Sequence, residues 1–170
     1  METQTTMPAA QTAIFVKMAV DAWRAQNGRV EKLVNELTDE QLARETAPGR
    51  NTGTYLFGHL IAVSDRLFDA MGWGGRLHPE LDQIFLVNPD KSGNEFPPIA
   101  DLRKYWTEIN EKINKHIAEM QPEDWFTKHA TVSAEDFVKE PHRNKLNLLL
   151  SRAIHTSNHQ GQMIYLGEKK

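Results

Sequence analysis

Apolar side chains recur at steps of three and four along four stretches of the chain, the spacing that gathers them on one face of an α-helix. The first stretch runs from about Gln11 to Leu37, with Ile14, Phe15, Met18, Ala22, Val30, Leu33, Val34 and Leu37 as its apolar positions. Gly28 lies inside it and predicts a kink or local break. Thr38-Asp39-Glu40-Gln41 follows with capping-box spacing and predicts a short helical turn. The second stretch begins near Asn51 or Thr52, after the breaker Ala47-Pro48-Gly49, and carries Leu56, Leu60, Val63, Leu67 and Met71. Gly72, Gly74 and Gly75 end it. The third follows Pro97-Pro98 with the cleanest stripe: Leu102, Trp106, Ile109, Ile113, Ile117 and Met120; Pro122 stops it. The fourth runs from about Asn144 to Leu166 and ends at Gly167.

No stretch alternates strongly enough for a strand, although Gln83–Val87 could be a short extended piece. The pattern predicts an all-α protein, a single four-helix domain over residues 1–170. Two connections, 72–98 and 121–143, are long. Unstructured loops of that length are uncommon, so they read either as surface excursions containing short helices or as a lid or pocket wall.

Composition narrows the classes of function. A chain of 170 residues buries roughly two-thirds of its unfolded surface, enough for one sizeable core. Lysine and arginine number 20 against 23 acids, and the only basic cluster of note is the Lys169-Lys170 pair. Nucleic-acid binding needs a basic stripe and is disfavoured. METQTTMPAAQTAIFV has no basic region before its apolar run, so a secretory signal is not expected, and no apolar run approaches a transmembrane span. Cysteine is absent, which excludes disulfides and thiolate ligands and leaves any metal to nitrogen and oxygen. It also fits a cytoplasmic protein.

The candidate chemistry lies in histidines. His155 and His159 are one helical turn apart and share a face, as the two histidines of HExxH do. The pair alone is weak evidence, since seven histidines readily produce such a spacing by chance. His59 adds to it, because it lies between Leu56 and Val63 on the second stripe and should face the interior. A lone buried histidine is usually hydrogen-bonded core. Three on facing helices make a site of three nitrogens with an open position, the form that catalytic metal centres take. His116, beside the third stripe, is a reserve ligand; His78, His129 and His142 are not assigned.

Around the turn of His155 and His159 lie Leu148, Ser151, Gln162 and Leu166, flanked by Arg152 and Asn158. Around His59 lie Tyr55, Leu56, Ala62 and Val63. None is a carboxylate, unlike the general-base Glu of a HExxH peptidase. Activation would then fall to the metal itself, on a bound water or a substrate thiol. Tyr55, Ser151, Arg152 and Gln162 are candidate pocket residues. The ordinary reading is packing or capping for Tyr55, Ser151 and Gln162, and a solvated cation for Arg152. Leu146, Leu149, Leu150, Ala153 and Ile164 occupy the other side of the fourth helix, so that side should meet another helix or a second subunit.

Two segments carry a family resemblance. LTDEQLARETAPGRNTGTYLFGHLIAVSDRLF resembles the first connection and second helix of the DinB-like superfamily of metal-binding four-helix proteins, whose metal histidine sits in GHL. HTSNHQGQMIYL resembles that family's last-helix HxxxH-x-GQ motif. The likeness follows the whole chain in helix order, with its specific matches in residues 37–71 and 145–167. It implies a bundle with helices ordered up-up-down-down and one divalent metal on His59, His155 and His159. Zinc, nickel, manganese and iron all accept imidazole, so the ion is open. Gln160 stands where the family often has an arginine after the last ligand. Some members resemble transferases that use a low-molecular-weight thiol; others look like metal-dependent hydrolases. The resemblance therefore implies a metalloenzyme acting on a small molecule, and a homodimer, frequent in the family, through the fourth helix. Two other readings stand beside it: a non-catalytic or stress-related protein with a structural ion, and a small-ligand binding module. The fourth coordination position separates them, water favouring catalysis and a protein ligand favouring structure.

Overall fold

The computed structural model describes residues 9–167. In chain order its helices are α1 (Ala9–Glu36), α2 (Asp39–Leu42), α3 (Gly53–Asp65), α4 (Leu67–Met71), α5 (Ile99–Glu119), α6 (Ala134–Lys139) and α7 (Lys145–Met163). Tighter or wider turns occupy Gln83–Val87, Pro122–Phe126 and Ile164–Leu166. The fold is all-α, as the periodicity predicts. The residues at the two chain ends that bear on a secretory signal and on the Lys169-Lys170 pair lie in part or wholly outside the described range.

Local chemistry sets the helix boundaries. Gln41 donates its backbone N–H to the Thr38 hydroxyl at 3.2 Å, and its side-chain oxygen accepts from the Thr38 backbone at 2.8 Å, completing the capping box. Thr52 caps α3 by accepting from the Tyr55 backbone, and Asn144 caps α7 by accepting from Asn147. Gly72 ends α4 at φ +78°, a conformation glycine reaches without a Cβ clash.

Several expectations change. α1 passes through Gly28 unbroken, because buried Trp23, Asn27, Val30 and Val34 lie on one stripe on both sides of it and tertiary packing overrides the glycine. Ile14, Phe15 and Met18 lie on the outside of α1; the buried face there is Ala19, Val20 and Trp23. The expected second helix is two helices, α3 and α4, with Arg66 at the junction. Gln83–Val87 is a turn of π-helix rather than an extended piece, wound around a fully buried Phe85 that packs on Tyr55 and Phe96.

Helix directions follow from the contacts. Along α1 and α5, Arg24 meets Asn114, Asn27 meets Asn110 and the Val34 carbonyl meets Arg103, so these helices are antiparallel. Phe57 of α3 packs on Trp106 and Phe68 of the following α4 on His116, so α3 and α4 run parallel to α5. Gly53 lies against Leu166 while His59 meets His155, so α3 and α7 are antiparallel. The order is therefore up-down-down-up, not up-up-down-down. The link between α1 and α3 is folded into the single turn α2 and the closed turn at 46–51 instead of being extended back along α1, so α3 reverses α1. The 72–98 connection is long enough to return the chain, so α5 repeats the direction of α3.

That connection is fastened along α3. Asp65 is fully buried; it accepts from the Leu77 backbone at 2.7 Å and from Arg76 Nε at 2.9 Å. Arg76 forks onto Asp82, which also holds Arg66. Further on, the Tyr55 hydroxyl donates to the Asn88 carbonyl at 2.8 Å, and the Thr52 backbone donates to Asp90 at 2.6 Å. The other long connection, 121–143, buries Trp125 and contains α6. Among the described residues, no helix is long and apolar enough to cross a membrane.

Candidate metal centre

His59 projects from α3 and His155 and His159 from α7, and the antiparallel pairing of those helices brings the three rings together. His155 Nε2 lies 3.2 Å from His59 Nε2 and 3.0 Å from His159 Nε2. All three ligand nitrogens fall within 4.8 Å of one another. Two nitrogens on one tetrahedral zinc would stand roughly 3.4 Å apart, given bonds of about 2.0–2.1 Å. The cluster thus matches the donor spacing of a single ion. Among the described residues no Asp or Glu joins it.

The far sides of two rings are held. The His59 Nδ1 position pairs with the Phe85 backbone carbonyl at 2.9 Å, and that of His159 faces Gln162 Oε1 at 3.5 Å. Both acceptors favour the proton on Nδ1, leaving the Nε2 lone pair directed into the cluster. The Tyr55 ring stacks beside His59. His155 Nδ1 is buried and has no hydrogen-bond partner among the described residues.

Electrostatics keep the imidazoles neutral. Burial pushes the His155 pKa down to about 4, helped by the neighbouring His159 and His59 and by Arg152. Burial lowers His59 as well, partly offset by the Phe85 carbonyl, and lowers His159 with His59 beside it. Neutral imidazole is the form that binds metals.

One side of the centre is open. A cleft of about 780 Å³ runs between the 46–51 turn and the C-terminal half of α7, lined by Arg50, Asn51, His159, Gln162 and Tyr165 among others. Of the residues expected around a substrate, Gln162 lies in this cleft. Tyr55 is buried beside His59, with its hydroxyl occupied by Asn88. Arg152 is half-buried one turn before His155, not solvated. Ser151 is exposed on the outside of α7. His116 stacks on Trp73, away from the centre. Sequence reasoning missed Phe85, which acts through its backbone and leaves no side-chain signal. It also missed the 46–51 turn as a cleft wall; Ala47-Pro48-Gly49 marks the turn but not what it faces.

An all-helical protein with three converging imidazoles beside an open cleft belongs to the class of candidate histidine metalloproteins. Residues 22–163 match the DinB superfamily, and the chain belongs to that superfamily. It is also similar in fold to a conserved protein from Enterococcus faecalis of known crystal structure, with 16% identity and a TM-score of 0.61 over 88% of this chain and 93% of that one. No curated protein matches it.

Proposed function

We propose that His59, His155 and His159 hold one divalent metal ion and that the centre activates a small thiol or water for attack on a small electrophile. The carrying observation is the convergence of three Nε2 atoms, two of them with the opposite ring nitrogen tied to an acceptor, at the edge of an open cleft. A bound ion would supply Lewis acidity, lowering the pKa of a coordinated water or thiol.

The chain's own residues orient and admit. Phe85 and Gln162 hold their imidazoles in the ligating tautomer. The cleft gives a small molecule access past His159, which supports an exchangeable position over a closed structural site. With no carboxylate from the described residues in the cluster, none of them serves there as a general base of the peptidase kind. A thiol nucleophile has to come from the substrate, since the chain has no cysteine.

A homodimer through α7 belongs to the same reading. Leu146, Leu149 and Ala153 are buried within the protein, but Leu150 and Ile154 stay exposed, and Ala22 of α1 lines the same shallow groove. Sedimentation showing a strict monomer would remove the dimer.

Metal analysis of protein purified without chelator tests the centre, with an equimolar ion expected and its loss in His155→Ala. A thiol-transfer assay on a small chloroarene, with and without chelator, tests turnover. Transfer that survives complete metal removal would refute the catalytic part.

A further inference from the structure

Among the described residues Arg152 has no counter-charge. Its side chain is half-buried, and its Nε is fully buried without a hydrogen-bond partner. Other arginines of similar burial are satisfied: Arg76 by Asp65 and Asp82, Arg103 by Asp39 and the Val34 and Leu37 carbonyls. Among the described residues Arg152 makes no ion pair. Burial disfavours its charged form, as does the field of Arg66, a second cation already engaged by Asp82. The field of Arg152 reaches His59, His155 and His129.

Charge bookkeeping then points to the ligand. Three neutral imidazoles leave a divalent ion with its full charge of about +2, and Arg152 adds another positive charge beside it. A partly buried, unpaired guanidinium is costly, and an apolar residue of similar size would fill the position without that cost. A guanidinium matches a carboxylate through two parallel N–H···O bonds. We propose that Arg152 anchors the carboxylate of a small acidic ligand whose other end reaches the three-histidine centre, so that the substrate thiol is a mercapto-acid rather than a neutral or cationic thiol. This rests on the metal reading above and adds the ligand's charge to it.

The test compares 3-mercaptopropionate with its near-isosteric neutral amide on cobalt-substituted protein. Calorimetry gives the two affinities, and the visible absorption of the cobalt reports a ligand that reaches it. The acid should bind roughly 10–100 times more tightly than the amide, the range for hydrogen bonds to a charged group. R152Q should abolish the preference without changing cobalt content, and R152K should keep part of it. Equal affinities in the wild type, binding of neither compound, or a preference undiminished in R152Q would overturn the proposal. The wild-type ratio decides even if R152Q fails to fold. Stoichiometric cobalt with no acid preference defeats Arg152 alone. Protein that takes up no cobalt but binds succinate, with loss in R152Q, defeats the metal reading alone.

Discussion

Replacing Gly58 with alanine tests both the packing of the 72–98 connection and its hold on the centre. In most helix interiors this change stabilises, by up to about 1 kcal/mol. Here a Cβ on Gly58 would lie 2.3 Å from two atoms of the Phe85 ring and 2.6 Å from a third. Phe85 has little room to retreat, being fully buried between Tyr55 and Phe96 at ring-centre distances of 5.9 and 5.2 Å. Overpacking costs about 1–3 kcal/mol, and approaches this close to a fully buried ring fall in the upper half of that range, so after the helix gain the variant should lose about 1–2 kcal/mol. At this chain length that is a fall of roughly 2–8 °C in Tm. The displaced turn also carries the carbonyl that holds His59 Nδ1. Losing such an outer partner weakens metal binding by about 10–100-fold. Urea unfolding of the metal-free protein reads the first effect, and competition with a chromophoric chelator reads the second. Adding Phe85→Leu should return part of the stability, since a smaller side chain relieves the clash. A G58A protein as stable as wild type would refute the close-approach argument. A destabilised variant with unchanged metal affinity would refute the link between Phe85 and His59.

Asp65→Ala removes the buried acceptor of Arg76 and of two backbone N–H groups, and should cost about 3–5 kcal/mol in urea unfolding. A loss below 1 kcal/mol would show that the connection is held elsewhere. Stability of the metal-free protein should fall as pH drops below about 6.5, because an unfolded histidine takes up its proton there while folded His155 resists until about 4. A shift of that size corresponds to about 3.4 kcal/mol, which the partial exposure of His155 reduces to the order of 1–3 kcal/mol, and the His155 contribution is complete near pH 4, where loss of the Asp82 ion pairs takes over; a flat profile from pH 7 to 4.5 in unfolding titrations would contradict the depressed pKa. A divalent ion at about 100 times its Kd should add about 2.7 kcal/mol of stability in thermal melts, an increment absent from His59→Ala. No increment in wild type with any of zinc, nickel, manganese or iron would count against the centre.

The helices and the histidines were readable because both depend on spacing within one element. The stripe of α5 and the one-turn separation of His155 and His159 need no knowledge of the rest of the chain. What depends on two elements was less readable. Either face of the N-terminal half of α1 is apolar, and only the packing of Val20 and Trp23 shows which is buried. The direction of α3 depends on how far the short link can travel, and the fate of Gln83–Val87 depends on the vacancy that Gly58 leaves for Phe85. Arg152 shows the same limit. Its helical position placed it beside the centre, but its missing partner is a property of the folded surroundings.

The centre itself argues for a cation. His59 and His159 have acceptors at Nδ1, so their Nε2 lone pairs both turn toward His155. If His155 carries its proton on Nε2, it can donate to one of them at 3.0 or 3.2 Å, but its buried Nδ1 lone pair is then left without a donor. If it carries the proton on Nδ1, that N–H is buried without an acceptor and three lone pairs face one another. A second proton would relieve the lone pairs, but burial and Arg152 oppose it, which is why His155 stays neutral down to about 4. Each metal-free arrangement leaves a buried polar group unsatisfied, at about 1–3 kcal/mol. A divalent ion would accept all three lone pairs at once and leave one demand, an acceptor for the His155 Nδ1 proton.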